Sequence, residues 1–89
     1  MNILIVEDCE VTTTLIVGLL EQYNPKPNTI TAENGVEGLA KLADNPIDLI
    51  LSDVMMPEMG GIEFVEEVRK IPQLKETTVI MLTTVSEIK

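Results

Sequence analysis

Four short apolar runs alternate along the chain with longer segments of mixed polarity. The run at 47–51 is interrupted only by Asp48, which is typical of a strand that is covered on both faces. This strand runs into Asp53, and a proline and two glycines shortly afterwards prevent it from continuing. The four predicted strands lie at 2–6, 29–32, 47–51 and 78–82.

The segments between these strands carry apolar residues at the spacing of an amphipathic helix. The three predicted helices run from about Glu10 to Tyr23, from Asn34 to Asn45, and from Gly61 to Lys70. Asn34 can cap the second helix, and Glu37 can reach back to it. The apolar positions expected to face the core are Val11, Leu15, Ile16, Leu19 and Leu20 in the first helix, Val36, Leu39, Ala40 and Ala43 in the second, and Ile62, Phe64, Val65 and Val68 in the third.

Strands that alternate with helices of this length predict right-handed βαβ units and a parallel sheet. In a parallel sheet the carboxyl ends of all strands lie on one edge. Glu7, Asp8, Asp53 and Thr83 each follow or end a predicted strand, so we expect them to converge there. Carboxylate and hydroxyl oxygens are ligands suited to Mg²⁺. Because two carboxylates about 4 Å apart repel by about 4 kcal/mol at an effective dielectric of 20, a cation would stabilise the cluster.

Composition narrows the classes of function that remain. With 89 residues the chain is one domain, residues 1–89, and its net charge of −9 disfavours nucleic-acid binding. The absence of histidine excludes histidine acid–base catalysis and most zinc sites. No apolar run approaches the roughly 18 residues of a membrane span. Cys9 is the single cysteine and cannot form an internal disulfide, so a cytoplasmic location is the default expectation. Its thiol is expected to be buried and inert rather than a redox switch.

Several motifs resemble those of two-component response-regulator receiver domains of the chemotaxis-regulator type. The matching stretches are Val6-Glu7-Asp8, 53–61, 81–84 and the helix start at 34–37. The resemblance implies an α/β, flavodoxin-like parallel sheet of order 2-1-3-4, with the first and third strands at the topological switch point. It also implies that the chain, which ends at Lys89, lacks the family's usual fourth helix, fifth strand and fifth helix, together with a phosphoryl-binding lysine.

The resemblance implies a role for each candidate site residue. Asp53 would be the phosphoacceptor, attacking a phosphohistidine on a sensor histidine kinase or phosphotransfer protein. Asp8 and Asp53 would bind Mg²⁺ directly, Glu7 would bind it through water, and the backbone carbonyl of Met55 would add a ligand. Thr83 would donate a hydrogen bond to a phosphoryl oxygen and transmit the switch. Such a domain catalyses its own phosphorylation and is no conventional enzyme, and its output domain would lie outside this chain.

An enzyme class and a nucleotide-binding class are excluded by their motifs, while one further alternative stays open. An aspartyl phosphatase of the haloacid-dehalogenase type needs a second Asp where this chain has Met55, and a nucleotide-binding fold needs a glycine-rich turn where it has 7–10. The open alternative is a receiver-derived fragment that acts only in protein interaction or self-association. The missing lysine favours it. The fourth strand has no proline or charge between Thr77 and Val85, so we expect its edge to pair with a second copy.

Overall fold

The computed structural model describes residues 1–82, which form one four-stranded sheet and three α-helices. The strands are β1 (Asn2–Val6), β2 (Asn28–Ala32), β3 (Leu49–Asp53) and β4 (Thr78–Leu82). The helices are α1 (Glu10–Leu20), α2 (Gly35–Asp44) and α3 (Gly61–Arg69), and a 3-10 turn at Pro72–Leu74 precedes β4. Each predicted strand and helix is present, with bounds that differ by a few residues.

The sheet has the predicted order β2-β1-β3-β4, and every neighbouring pair is parallel. Val6 pairs with Ser52 across the two central strands, and Asp53 pairs with Leu82 across the outer pair. The order confirms a flavodoxin-like α/β fold. It places β1 and β3 side by side, so the residues that follow these two strands share one edge.

The main core lies between one face of the sheet and helices α2 and α3. The core residues are Leu4, Val6, Ala32, Leu42, Ile47, Ile50, Phe64 and Val68. Phe64 is fully buried at the centre of this layer. A Cβ atom on Gly38 would lie 2.9 Å from the Phe64 ring and 3.2 Å from Val6, so a glycine is needed for this close approach of α2.

The buried face of α2 differs from the predicted one. Its buried residues are Gly35, Gly38 and Leu42, while Leu39 is only partly buried against the core. The prediction that Val36, Ala40 and Ala43 face the core is wrong because all three are exposed. The side of α2 that carries the two glycines faces the core, because only a residue without a side chain fits so close to the neighbouring elements.

The predicted cap of α2 is confirmed in its main contact. The Asn34 side chain accepts a hydrogen bond from the Glu37 amide at 2.8 Å. The Glu37 carboxylate reaches back one residue further than expected and accepts from the Glu33 amide at 2.7 Å. The two bonds satisfy backbone donors at the start of the helix and fix its first turn.

Helix α1 buries less than its sequence predicts. Val11, Leu15 and Leu19 are 69%, 63% and 63% exposed, and no residue of the helix is buried. The helix is apolar on more than one side, and its half-buried residues include Ile16 and Leu20. The expectation that all five apolar positions face the core is therefore wrong, because no element within residues 1–82 covers the outer side of α1.

Candidate metal centre

The carboxyl ends of β1 and β3 bring three acidic side chains together. Glu7 and Asp8 directly follow β1, and Asp53 is the last residue of β3. One carboxylate oxygen from each lies within 4.8 Å of those from the other two. Glu7 and Asp53 are each 2% exposed, whereas Asp8 is exposed and marks the open side of the cluster. The predicted convergence of these residues is confirmed.

Glu7 is the most constrained of the three acids. Its Oε2 atom accepts a hydrogen bond from the Cys9 amide at 3.0 Å, but Oε1 is buried and accepts none from the described residues. Burial above all, with the negative charge of Asp53 and contact with Asp8, raises the pKa of Glu7, the hydrogen bond from the Cys9 amide lowers it, and the net value is about 7. A carboxylate in this environment is stabilised in its charged form by a nearby cation.

This donor set fits Mg²⁺. Hard divalent cations bind several oxygen ligands and accept mixtures of carboxylate, carbonyl and water. The cluster provides three carboxylates within reach of one ion, one of them with a buried oxygen that no described donor satisfies. A dication would offset the repulsion between the acids and pair that oxygen directly or through water.

The loop after Asp53 is held by a small number of backbone hydrogen bonds. The Met55 amide donates to Asp53 Oδ1 at 3.4 Å, and the Gly61 amide donates to the Val54 carbonyl at 2.9 Å. Glu58 has a φ angle of 67°, a left-handed conformation that is uncommon outside glycine. The Met55 side chain is 61% exposed, and its carbonyl stays a predicted ligand.

Thr83 lies outside the described residues, so its predicted contact with a phosphoryl oxygen stays a prediction. Its neighbour Leu82 pairs with Asp53, which brings the last described residue of β4 to the edge that carries the acids.

Cys9 is exposed, so its prediction as a buried thiol is wrong. It occupies the position before the first residue of α1, outside the sheet layer. Hydrogen bonds from the side chain and backbone of Thr12 lower its thiol pKa. The short loop between β1 and α1 leaves no layer of side chains to cover it.

A polar cavity of about 240 Å³ adjoins the acid cluster on the β2 side and was not expected from the sequence. Glu10, Thr31 and Glu33 line it together with Glu7 and Asp8. The signal that could have identified Thr31 and Glu33 is the end of β2, because a parallel strand next to β1 must finish at the same edge. The negative charge at this edge therefore extends beyond the three clustered acids.

A parallel sheet whose two central strands end in a carboxylate cluster defines a flavodoxin-like domain with a candidate cation site at its switch point. The family model for the response regulator receiver domain matches residues 3–89. The chain belongs to this family, whose members accept phosphate from histidine kinases.

Individual relatives agree with this assignment. The chain is 42% identical over 82 residues to the transcriptional regulatory protein CpxR of Klebsiella pneumoniae, covering 92% of this chain and 33% of that protein. It is 34% identical over 85 residues to the chemotaxis protein CheY1 of Helicobacter pylori, covering 94% of this chain and 68% of CheY1.

Residues 1–82 contain no helix with the length and apolar character required to span a membrane.

A solved structure supports the same fold. The response regulator protein TrrA of Thermotoga maritima, crystallised in complex with Mg²⁺-BeF, superimposes with a TM-score of 0.82 at 33% identity. The match covers 99% of this chain and 73% of TrrA. The chain thus spans about three quarters of that structure and a third of CpxR.

Proposed function

We propose that this chain is a phosphoacceptor module that receives a phosphoryl group on Asp53 from a sensor histidine kinase or phosphotransfer protein. The observation that carries the proposal is the clustering of Glu7, Asp8 and Asp53 within 4.8 Å, with a buried oxygen of Glu7 that no described donor satisfies. An acceptor carboxylate flanked by two further acids is suited to a reaction in which charge neutralisation and positioning supply most of the rate enhancement.

Each residue has a defined role in this proposal. Asp8 and Asp53 would hold Mg²⁺ directly, Glu7 through water, and Met55 through its carbonyl, and the bound ion would neutralise negative charge on the phosphoryl oxygens. A carboxylate oxygen of Asp53 forms a bond to phosphorus while the bond from phosphorus to the histidine nitrogen breaks, and that electron pair stays on the imidazole. Thr83 would donate a hydrogen bond to the transferred group.

In this proposal the chain is a signalling module rather than a conventional enzyme. It would act in the cytoplasm, where a histidine kinase would be the phosphodonor. Because the match covers 33% of CpxR, we place any output domain outside the present sequence. The net charge of −9 argues against direct contact of this segment with nucleic acid. The acidic edge would instead accept a cation and a donor that carries positive charge.

Treatment with acetyl phosphate and Mg²⁺ tests the nucleophile directly. We expect intact-mass and peptide mass spectrometry to find one added phosphoryl group, located on Asp53. Asp53→Asn should abolish the label because an amide is a poor nucleophile, whereas Asp44→Asn, which changes an exposed acid at the end of α2, should retain it. A label that survives Asp53→Asn would overturn the assignment.

A second candidate function is self-association without phosphate signalling. Within residues 1–82, β4 pairs only with β3, and Ile80 in the middle of β4 is 45% exposed. An apolar edge strand without proline or charge is a template for pairing with another chain. This alternative requires an oligomer to form whether or not Asp53 is phosphorylated.

A further inference from the structure

Met59 packs into the space above Gly35, which joins the loop after β3 to the start of α2. A Cβ atom on Gly35 would lie 2.7 Å from Cγ and 2.8 Å from Sδ of Met59, so no larger residue fits without a shift. The Gly35 amide also donates to the Met59 carbonyl at 3.4 Å. Gly35 is buried, and Met59 is half-buried against the core.

The α2 side of this contact is rigid. The Asn34 cap and the Glu37 contact hold the first turn of the helix from outside. Gly38, one turn further on, is held against Phe64 and Val6. Gly35 therefore presents a fixed surface against which the loop can be positioned.

The loop side of the contact needs such a support. Glu58, the residue before Met59, holds a left-handed backbone conformation with φ of 67°. A non-glycine residue persists in this region only where its surroundings enforce it. Met59 follows Glu58 directly, and its side chain and carbonyl contact Gly35 at the start of α2. These contacts hold the strained turn in place.

We propose that Met59 is a positioning residue whose seating on Gly35 fixes the loop that carries Met55 against Asp53. The inference rests on the proposed role of Asp53 as the phosphoacceptor. The Met55 amide lies 3.4 Å from Asp53 Oδ1, so a shift of the loop alters both the orientation of the carboxylate and the place of the Met55 carbonyl. Met59 acts through these groups and does not itself contact the phosphoryl group.

A double-mutant cycle on the two partners tests the proposal. Gly35→Ala and Met59→Ala should each slow the labelling of Asp53 by acetyl phosphate, by on the order of tenfold or more, because displacements near 1 Å at a reacting group can cost a hundredfold. In the double variant the methyl group introduced at position 35 occupies space that the Met59 side chain has left, so the two effects should not multiply. Met59→Leu, which keeps a long apolar side chain, should label at close to the original rate.

Gly38→Ala is the matched control for stability. It lies on the same face of α2 and meets Phe64, so it should lower the melting temperature without slowing labelling per folded molecule. Rates are compared at temperatures where each variant is fully folded. Effects of Gly35→Ala and Met59→Ala that multiply, or a rate in Gly38→Ala as low as in Gly35→Ala, would overturn the positioning role.

Amide hydrogen exchange separates this inference from the proposed function, since it needs neither metal nor phosphodonor. Faster exchange in the loop at 54–60 is expected in Gly35→Ala and Met59→Ala and not in Gly38→Ala. If the wild type takes no label while the variants show this exchange pattern, the phosphoacceptor proposal is refuted and the contact of Met59 with Gly35 is still supported. A labelled wild type with unchanged exchange in all variants would refute the seating alone.

Discussion

The protonation of Glu7 couples the site to the stability of the fold. Its pKa is raised from 4.5 to about 7, chiefly by burial. Between these two values the folded chain binds more protons than the unfolded chain, so stability must fall as the pH rises. The favourable contribution of neutral Glu7 is complete below the unfolded value of 4.5 and is lost as the pH passes the folded value of about 7.

We therefore predict that, in the presence of a chelator, the protein is more stable near pH 5 than near pH 8. A shift from 4.5 to about 7 corresponds to about 3 kcal/mol in the free energy of unfolding. Urea unfolding across this range measures the slope. Glu7→Gln has no proton to lose and should flatten the profile, so an equal slope in that variant would assign the effect to other groups.

The acid cluster also predicts stabilisation by Mg²⁺. An ion that binds only the folded state stabilises it by about 2.7 kcal/mol at a concentration one hundred times its dissociation constant. The melting temperature should rise with Mg²⁺ in the wild type and in Asp44→Asn, and should rise much less in Asp8→Asn. A melting temperature that is insensitive to Mg²⁺, or an unchanged response in Asp8→Asn, would show that the three acids do not bind the ion together.

At the scale of elements, the two mid-helix glycines should respond in opposite directions to the same substitution. Nothing lies within 4 Å of a Cβ atom built on Gly18 in α1, so Gly18→Ala should stabilise the protein by about 1 kcal/mol through helix propensity. Gly38→Ala gains the same propensity but meets Phe64, and we expect a net loss. Chemical denaturation of both variants measures the difference, and a destabilised Gly18→Ala would reveal a contact on the outer side of α1.

The strands could be predicted because several independent signals agree on them. The apolar run at 47–51 is followed by an acid and then by residues that cannot extend a strand, and the run at 78–82 matches β4 residue for residue. The sheet order came from the resemblance to receiver domains. Parallel strands alone predicted that Glu7, Asp8 and Asp53 share one edge, whereas their clustering also required β1 and β3 to be neighbours.

The buried faces of the helices could not be predicted in the same way. Hydrophobic spacing identifies a side that can be buried, but burial also requires another element to cover it. Leu15 and Ile62 fit the pattern, but both are exposed and their predicted place in the core is wrong. Gly38 carries no hydrophobic signal and lies against the core. The contact between Met59 and Gly35 could not be predicted from the sequence either, because it depends on the path of an irregular loop.

At the scale of the whole molecule, the sheet is unevenly covered within residues 1–82. Helices α2 and α3 pack against each other over one face, whereas α1 leaves three large apolar side chains mostly exposed. Ile80 on β4 adds a further exposed apolar side chain at the edge of the sheet. A net charge of −9 opposes close approach of two copies, so apolar contact and charge repulsion act against each other.

We predict that the chain self-associates through β4 and that added salt promotes the association by screening this repulsion. Sedimentation velocity across a concentration series measures the dissociation constant. Ile80→Lys should weaken association by about ten- to a hundredfold, as expected for losing a buried apolar side chain worth about 1.5–3 kcal/mol. Ile62→Lys, at a 61% exposed apolar position on α3, is the matched control and should leave association unchanged.

A cooperative monomer at every concentration tested would contradict the prediction. An association constant that Ile62→Lys lowers as much as Ile80→Lys would place the interface on α3 instead. The first result would also argue against self-association as a function.

The arrangement of the strands also sets an order for the protein during its synthesis. In chain order β1 is made first, and β3, its neighbour on the side away from β2, is made before β4. All three clustered acids belong to the first 53 residues. A nascent chain that has emerged from the ribosome as far as the end of α3 therefore already carries both central strands and all three clustered carboxylates. Strand β4 contributes none of these acids.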